Sequence, residues 1–118
     1  MEKRGVIYAS ADAAIVSSPE AGMQRQVLAY NQNVMLVRHH LSKGWKGVRH
    51  KHPQEQLVYV VTGHIQFAGD GKIIELRAGD SIVVEGDVEH QATAHENSEV
   101  LDVFVPYRGD YAQCVNDH

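Results

Sequence analysis

The chain has 118 residues, a formal net charge of −4 and one cysteine. A domain of this length removes roughly two-thirds of its unfolded surface from water on folding, so it needs neither a disulfide nor an oxidising compartment. Its 11 basic residues are scattered among 15 acidic ones, which argues against nucleic-acid binding. No segment has the roughly 20 apolar residues of a membrane span or the apolar core of a secretion signal, so we expect a cytoplasmic protein.

Short segments rich in Val and Ile recur along the chain and predict an all-β, single-domain fold with no amphipathic helix. Residues 1–21 are expected to form either a loose arm or an added strand at a dimer interface. Two hairpins follow, because MQRQVLAY and VMLVRHHL flank NQN, and HIQFA and KIIEL flank GDG. Three further strands are predicted in SIVV, HQATAH and EVLDVFVP.

Three of the predicted strands, LVYVV, SIVV and VLDVFV, are apolar at nearly every position. Strands of this kind are usually covered on both faces. A closed barrel with a second layer, or with a partner subunit, would cover them. We therefore expect a homodimer.

Eight histidines are unusual in so short a chain, and two of them lie one residue apart in RHKHPQEQ. On an extended strand His50 and His52 project to the same face, where neutral imidazoles can share a divalent transition metal. Glu55 and Gln56 both stand where a third ligand is possible. Because Pro53 can interrupt the strand alternation, parity does not choose between them.

The spacing around these histidines resembles the two signature motifs of the cupin superfamily. The first motif matches Gly44, His50, His52, Gln56 and Gly63, with Gln56 at the position usually held by Glu. The second matches Gly79 and His90, although Glu85, Asp87 and Ala94 replace the usual Pro, Gly and Asn.

The resemblance implies a double-stranded β-helix, or jelly-roll barrel, over about 22–107, with a short tail at 108–118. It also implies a divalent transition metal, such as Zn, Ni, Mn or Fe, held by His50, His52, Gln56 and His90. A glutamine ligand is neutral, so the ion would keep its full charge and attract an anionic group. Glu55 would then be a solvated bystander.

The remaining histidines are expected to be solvated or hydrogen-bonded polar residues rather than ligands. His39 and His40 are adjacent on one predicted strand, so only one of them can face the interior. The others in this group are His64, His95 and His118.

The last predicted strand carries a second group of candidate residues in EVLDVFVPYRGDY. Asp102 shares a face with Val100 and Phe104, and a carboxylate in such a row usually has a partner or a task. Asp102 is thus a candidate general acid or base, and Arg108 a candidate clamp for a carboxylate. Alternatively, Arg108 pairs with Asp102 or Asp110 only to fix the tail.

Together with the first motif, the pattern of Asp102, Phe104, Pro106, Arg108, Asp110 and Tyr111 resembles the small cupins of pectin and alginate catabolism. The resemblance implies that a small anionic sugar, a 4,5-unsaturated uronate, is opened to a linear keto form. Asp102 would then move the proton, Arg108 would hold the carboxylate and Phe104 would shape the apolar wall. Two alternatives remain open: an Fe or Cu oxygenase, and a non-catalytic sugar-binding or sensory cupin.

Overall fold

The computed structural model describes residues 4–116, so His118 and both extreme ends lie outside the described part. Nine strands and one short helix follow one another along the chain. They are β1 Val16–Glu20, β2 Met23–Tyr30, β3 Met35–Leu41, β4 Glu55–Thr62, β5 His64–Gly69, β6 Lys72–Arg77, β7 Ser81–Val84, β8 His90–Ala94, β9 Ser98–Val105 and α1 Gly109–Asn116.

The strands form two antiparallel sheets that enclose a common interior, as the all-β jelly-roll prediction requires. The larger sheet has the order β1-β2-β3-β9-β4-β7, and the smaller has the order β6-β5-β8. Both predicted hairpins are confirmed, since β2 pairs with β3 and β5 pairs with β6. The predicted strands of the chain's last third are present as β7, β8 and β9.

Strict alternation along the central strands builds the interior. In β9 the inward row contains Val100, Asp102 and Phe104, all at least 95% buried. One apolar cluster lies between the sheets around Val58, Val60 and Ile65, and a second joins Phe104 to residues of β2, β3 and α1. The polar residues of these inward rows therefore face an otherwise apolar interior, which positions the site described below.

The ends of the chain differ from the simplest expectation. Residues 16–20 form an added strand at the edge of the chain's own larger sheet, and its predicted place at a dimer interface stays a prediction. The tail contains the short helix α1, although the sequence predicted none. An eight-residue helix with little apolar periodicity gives a weak sequence signal. Among residues 4–116, no helix is long and apolar enough to cross a membrane.

Within the described residues of the single chain, no second layer covers the outer face of the larger sheet, so the cover expected for the apolar strands could come only from a partner subunit. Leu57, Tyr59 and Val83 on the outer face of the larger sheet remain 44%, 45% and 58% exposed. The register places Leu57 between Val83 and Val103, which forms a continuous apolar row across three strands.

Candidate functional site

Three histidines from two parts of the chain meet at one end of the barrel. His50 and His52 lie in the segment before β4, and His90 begins β8. The backbone N–H groups of His50 and His90 each donate to the other residue's carbonyl, at 3.0 and 2.9 Å. Their ring centroids lie 4.6 Å apart, and the His52 ring lies 5.5 Å from His50 and 5.0 Å from His90. A metal ion could therefore contact all three rings.

Each of these imidazoles has its tautomer fixed by a backbone carbonyl. The Nδ1 atoms of His50 and His90 donate to the carbonyls of Val48 and Val88, both at 2.8 Å, and His52 Nδ1 donates to Gln54 at 3.0 Å. A carbonyl only accepts hydrogen bonds, so each ring carries its hydrogen on Nδ1 and leaves the Nε2 lone pair free. This is the arrangement in which metal-binding histidines are usually held.

Burial favours the neutral form of two of the rings. The pKa of His52 is lowered by burial and then by the charge of Arg108, and the pKa of His90 is lowered mainly by burial. His50, by contrast, is exposed. Neutral imidazoles are the form that binds divalent ions.

Gln56 is held with its carbonyl oxygen toward the histidines. Its Nε2 donates to Asp102 Oδ1 at 2.8 Å, and a carboxylate can only accept, so the amide orientation is determined. Gln56 Oε1 then lies 3.0 Å from His52 Nε2. Glu55, on the other face of β4, is exposed, so of the two candidates only Gln56 joins the cluster.

The arrangement fits a metal ion. Gln56 Oε1 and His52 Nε2 are both acceptors at hydrogen-bond distance, and a cation between them would relieve the repulsion of their lone pairs. The buried Nε2 of His90 has no hydrogen-bond partner among residues 4–116. A buried polar atom without a partner is costly, and a metal bond would satisfy it. His50, His52, His90 and Gln56 are thus the residues that could hold an ion.

Asp102 connects this cluster to a buried hydrogen-bond chain that the sequence did not reveal. Its Oδ2 accepts from His39 Nδ1 at 2.7 Å, and His39 Nε2 accepts from Arg25 Nε at 2.9 Å. His39 is only 7% exposed while His40 is exposed, which confirms that one of the two faces inward. The sequence did contain a signal for His39. It lies on the same face of β3 as the apolar residues Met35, Val37 and Leu41, just as Asp102 lies on the same face of β9 as apolar residues.

Arg108 lies beside the same space but already has a carboxylate partner. Its Nε and Nη2 donate to the two oxygens of Asp110 at 3.0 and 2.9 Å, so the pair considered from sequence is present. Burial alone would lower the pKa of Arg108, but the hydrogen bonds to Asp110 oppose this effect and the pKa is raised. Its guanidinium also stacks on Tyr111, at 4.1 Å, and lies 5.2 Å from the Phe104 ring.

Both groups of sequence candidates line one cavity of about 290 Å³. His50, His90 and Gln56 line it from the histidine side. Asp102, Phe104 and Arg108 line it from the β9 side, with Arg25, His39 and Tyr111. The volume is at the lower end of the range for small-molecule sites, and the mixture of apolar wall and few polar groups is typical of them.

Comparison with known proteins agrees with this architecture. The family model described as "Cupin domain" matches residues 37–105. The pectin degradation protein KdgF of Dickeya dadantii (strain 3937) is 29% identical over 92 residues, which cover 76% of this chain and 84% of that protein.

Two solved structures are similar over most of the chain. An RmlC-like cupin from Shewanella frigidimarina NCIMB 400 is 33% identical, with a TM-score of 0.84 and coverage of 88% of this chain and 94% of that one. KdgF from Halomonas sp. is 31% identical, with a TM-score of 0.83 and coverage of 88% and 98%. The predicted resemblance is confirmed by these matches, and the chain belongs to the cupin family.

Proposed function

We propose that this protein catalyses the metal-dependent ring opening and ketonisation of 4,5-unsaturated uronates released from pectin or alginate. The observation that carries the proposal is that His50, His90 and Gln56 line the same small cavity as a second group, Asp102, Phe104 and Arg108. The similarity to a pectin degradation protein adds the sugar class. This reaction needs no oxidant, reductant or second substrate.

The ion would be held by His50, His52, His90 and Gln56. When bound, a divalent ion supplies Lewis acidity that stabilises negative charge on a substrate oxygen. All four side chains are neutral, so they leave the ion's positive charge in place for an anionic sugar.

Asp102 would move the proton that converts the enol into the ketone. Ring opening leaves an enol, and the ketone forms when a carbon of the double bond gains a proton and the enol hydroxyl loses one. Gln56 and His39 each occupy one oxygen of Asp102, but each carboxylate oxygen has two lone pairs. The carboxylate therefore keeps acceptor capacity toward the cavity it lines.

Arg108 and Phe104 would orient the sugar. Asp110 occupies Nε and Nη2 of Arg108, which leaves Nη1 to hold the substrate carboxylate. The Phe104 ring is 1% exposed and packs edge-on against His52 at 5.7 Å, so it forms a fixed apolar wall beside the histidines.

We also propose that two copies associate through the outer face of the larger sheet. Val83, Leu57 and Val103 form an apolar row that, together with Tyr59, makes a contiguous exposed apolar patch. Such patches usually mark surfaces that contact another molecule. A second copy would cover it by a two-fold contact, in which the same surface is used on both sides.

The test is incubation of the metal-loaded protein with unsaturated uronates from a lyase digest, followed by absorbance of the conjugated double bond. We expect the absorbance to fall without oxygen uptake, and Asp102→Asn to lose at least about a hundredfold in rate, as for a positioned acid or base. Asp12→Asn, an exposed carboxylate on the arm, is the matched control.

Constant absorbance with the metal-loaded wild type would refute the proposal. Oxygen consumption by Fe-loaded protein would favour the oxygenase. A sugar that raises the unfolding temperature but is recovered unchanged would favour a sensory cupin.

A further inference from the structure

A second cluster of metal-binding side chains lies outside the cavity. His64 at the start of β5, Glu75 in β6 and His95 just after β8 direct their side chains to one point on the outer face of the smaller sheet. His64 Nε2 lies 2.8 Å from Glu75 Oε1, and His95 Nε2 lies 3.8 Å from the same oxygen. The two imidazole rings are 4.9 Å apart.

The register explains why these three residues meet. Glu75 lies opposite Gln66, the next residue on the same face of β5 as His64, and is therefore a diagonal neighbour of His64. On the other side of β5, His95 N donates to the His64 carbonyl at 2.9 Å. The central strand thus carries one histidine, with a carboxylate to one side and a second histidine to the other.

This cluster is separate from the first. His90 and His95 stand at the two ends of β8, about 16 Å apart along an extended strand, and their side chains project to opposite faces. His90 is 4% exposed and faces the interior, whereas the side chain of His95 is 41% exposed. An ion bound by one cluster therefore cannot share a ligand with the other.

We propose that His64, Glu75 and His95 form a second binding site for a first-row divalent ion such as Zn²⁺ or Cu²⁺. A hydrogen bond explains why the side chains of His64 and Glu75 meet. It does not explain why His95 Nε2 also lies 3.8 Å from the same Glu75 oxygen. Ligands about 2.0–2.2 Å from one ion are separated by roughly 3–4 Å, so small side-chain adjustments bring all three into contact. Two imidazoles and one carboxylate select Zn²⁺, Cu²⁺ or Ni²⁺ over Mg²⁺ or Ca²⁺.

The surroundings leave room for the ion. The side chains of Glu75 and His95 are about 40% exposed, so water completes the coordination. Arg77 lies opposite His64 in the register, but it is exposed, and solvent screens its charge. A bound ion would join all three strands of the smaller sheet.

The experiment is equilibrium dialysis of the metal-free full chain against Zn²⁺, with the ions per chain counted by atomic emission. We expect two ions for the wild type, and one for the double variant His64→Ala, His95→Ala. The matched control is His40→Ala with Glu99→Gln, which removes an exposed pair at 3.4 Å without a second histidine and should leave two ions. A double variant that binds as many ions as the wild type would overturn the proposal, whatever that number is. A wild type with one ion and a double variant with none would place the bound ion in this second cluster.

A milder change guards against misfolding. His95→Gln replaces one exposed ligand, and we expect the same unfolding midpoint as wild type without metal and at least about a hundredfold weaker binding of the second ion. Cu²⁺ added to the double variant His50→Ala, His52→Ala should show hyperfine coupling to two imidazole nitrogens by electron paramagnetic resonance. Coupling to two imidazole nitrogens that persists when His95→Gln is also introduced would place the copper elsewhere and contradict the assignment.

Discussion

The substitution Gln56→Glu tests the orientation of the amide on which the proposed metal site depends. It keeps the shape of the side chain but replaces the N–H donor that faces Asp102 Oδ1 at 2.8 Å with an oxygen. Two charged carboxylates at that separation repel by about 6 kcal/mol at an effective dielectric constant of about 20. The folded protein avoids this cost by binding a proton between them.

The cost of this proton uptake sets how much folding stability the Gln56→Glu variant loses. An introduced carboxyl with an ordinary pKa of about 4.3 costs about 4 kcal/mol to protonate at pH 7, and about 1 kcal/mol at pH 5. The pKa of the introduced carboxyl is raised in the folded state, so the folded state holds more protons than the unfolded state in this range. The metal-free variant should therefore lose stability as the pH rises.

Urea unfolding of the metal-free protein at the two pH values measures this difference. We expect Gln56→Glu to be less stable than wild type by about 4 kcal/mol at pH 7 and by about 1 kcal/mol at pH 5. Glu55→Gln, the exposed neighbour, should stay within about 0.5 kcal/mol of wild type at both. A loss below about 1 kcal/mol at pH 7, unchanged at pH 5, would refute the contact between Gln56 and Asp102.

Two further predictions concern the buried chain and the outer face. His39→Phe leaves the buried Asp102 Oδ2 without its donor and should lower the free energy of unfolding by about 3 kcal/mol; His40→Phe is the exposed control, and equal urea midpoints for both variants would contradict the role of His39. Leu57→Lys places a charge in the apolar row and should convert a dimer into a monomer by sedimentation velocity. A dimeric Leu57→Lys variant, or a monomeric wild type, would exclude this surface as the contact between copies.

The sequence predicted those parts of the fold that depend on local pattern. Alternation along β9 placed Val100, Asp102 and Phe104 on one face, and turn residues placed both hairpins, because these signals lie within a few neighbouring residues. The choice of Gln56 over Glu55 came from spacing to a distant glycine, and local alternation alone could not make it. The structure adds that Glu55 is exposed and that Gln56 contacts Asp102.

The rest of the site depends on which strands become neighbours. His39 and Asp102 are separated by 63 residues, and they meet because β3 pairs with β9 in a register that makes them diagonal neighbours. Nothing in the local pattern gives that register. The second cluster has the same origin, since His64 and Glu75 come from two strands, His95 follows a third, and each alone has the pattern of a solvated residue. Polar residues on the inward faces of two strands predict that buried hydrogen bonds form between them. They do not predict which residues pair.

Gln56 and Asp102 are best understood as one unit. A glutamate at position 56 would lower the charge of a bound ion, but it would also meet Asp102 across 2.8 Å and would need an added proton between the two carboxylates. The neutral amide donates to Asp102 with its nitrogen and can offer its oxygen to the proposed metal ion, so a single side chain could serve both groups. The negative charge that most cupin centres place on a ligand stands here one hydrogen bond farther away, on a carboxylate that lines the cavity. The same carboxylate can then orient the ligand and face the substrate, and this is why the identity of residue 56 and the proposed task of Asp102 depend on each other.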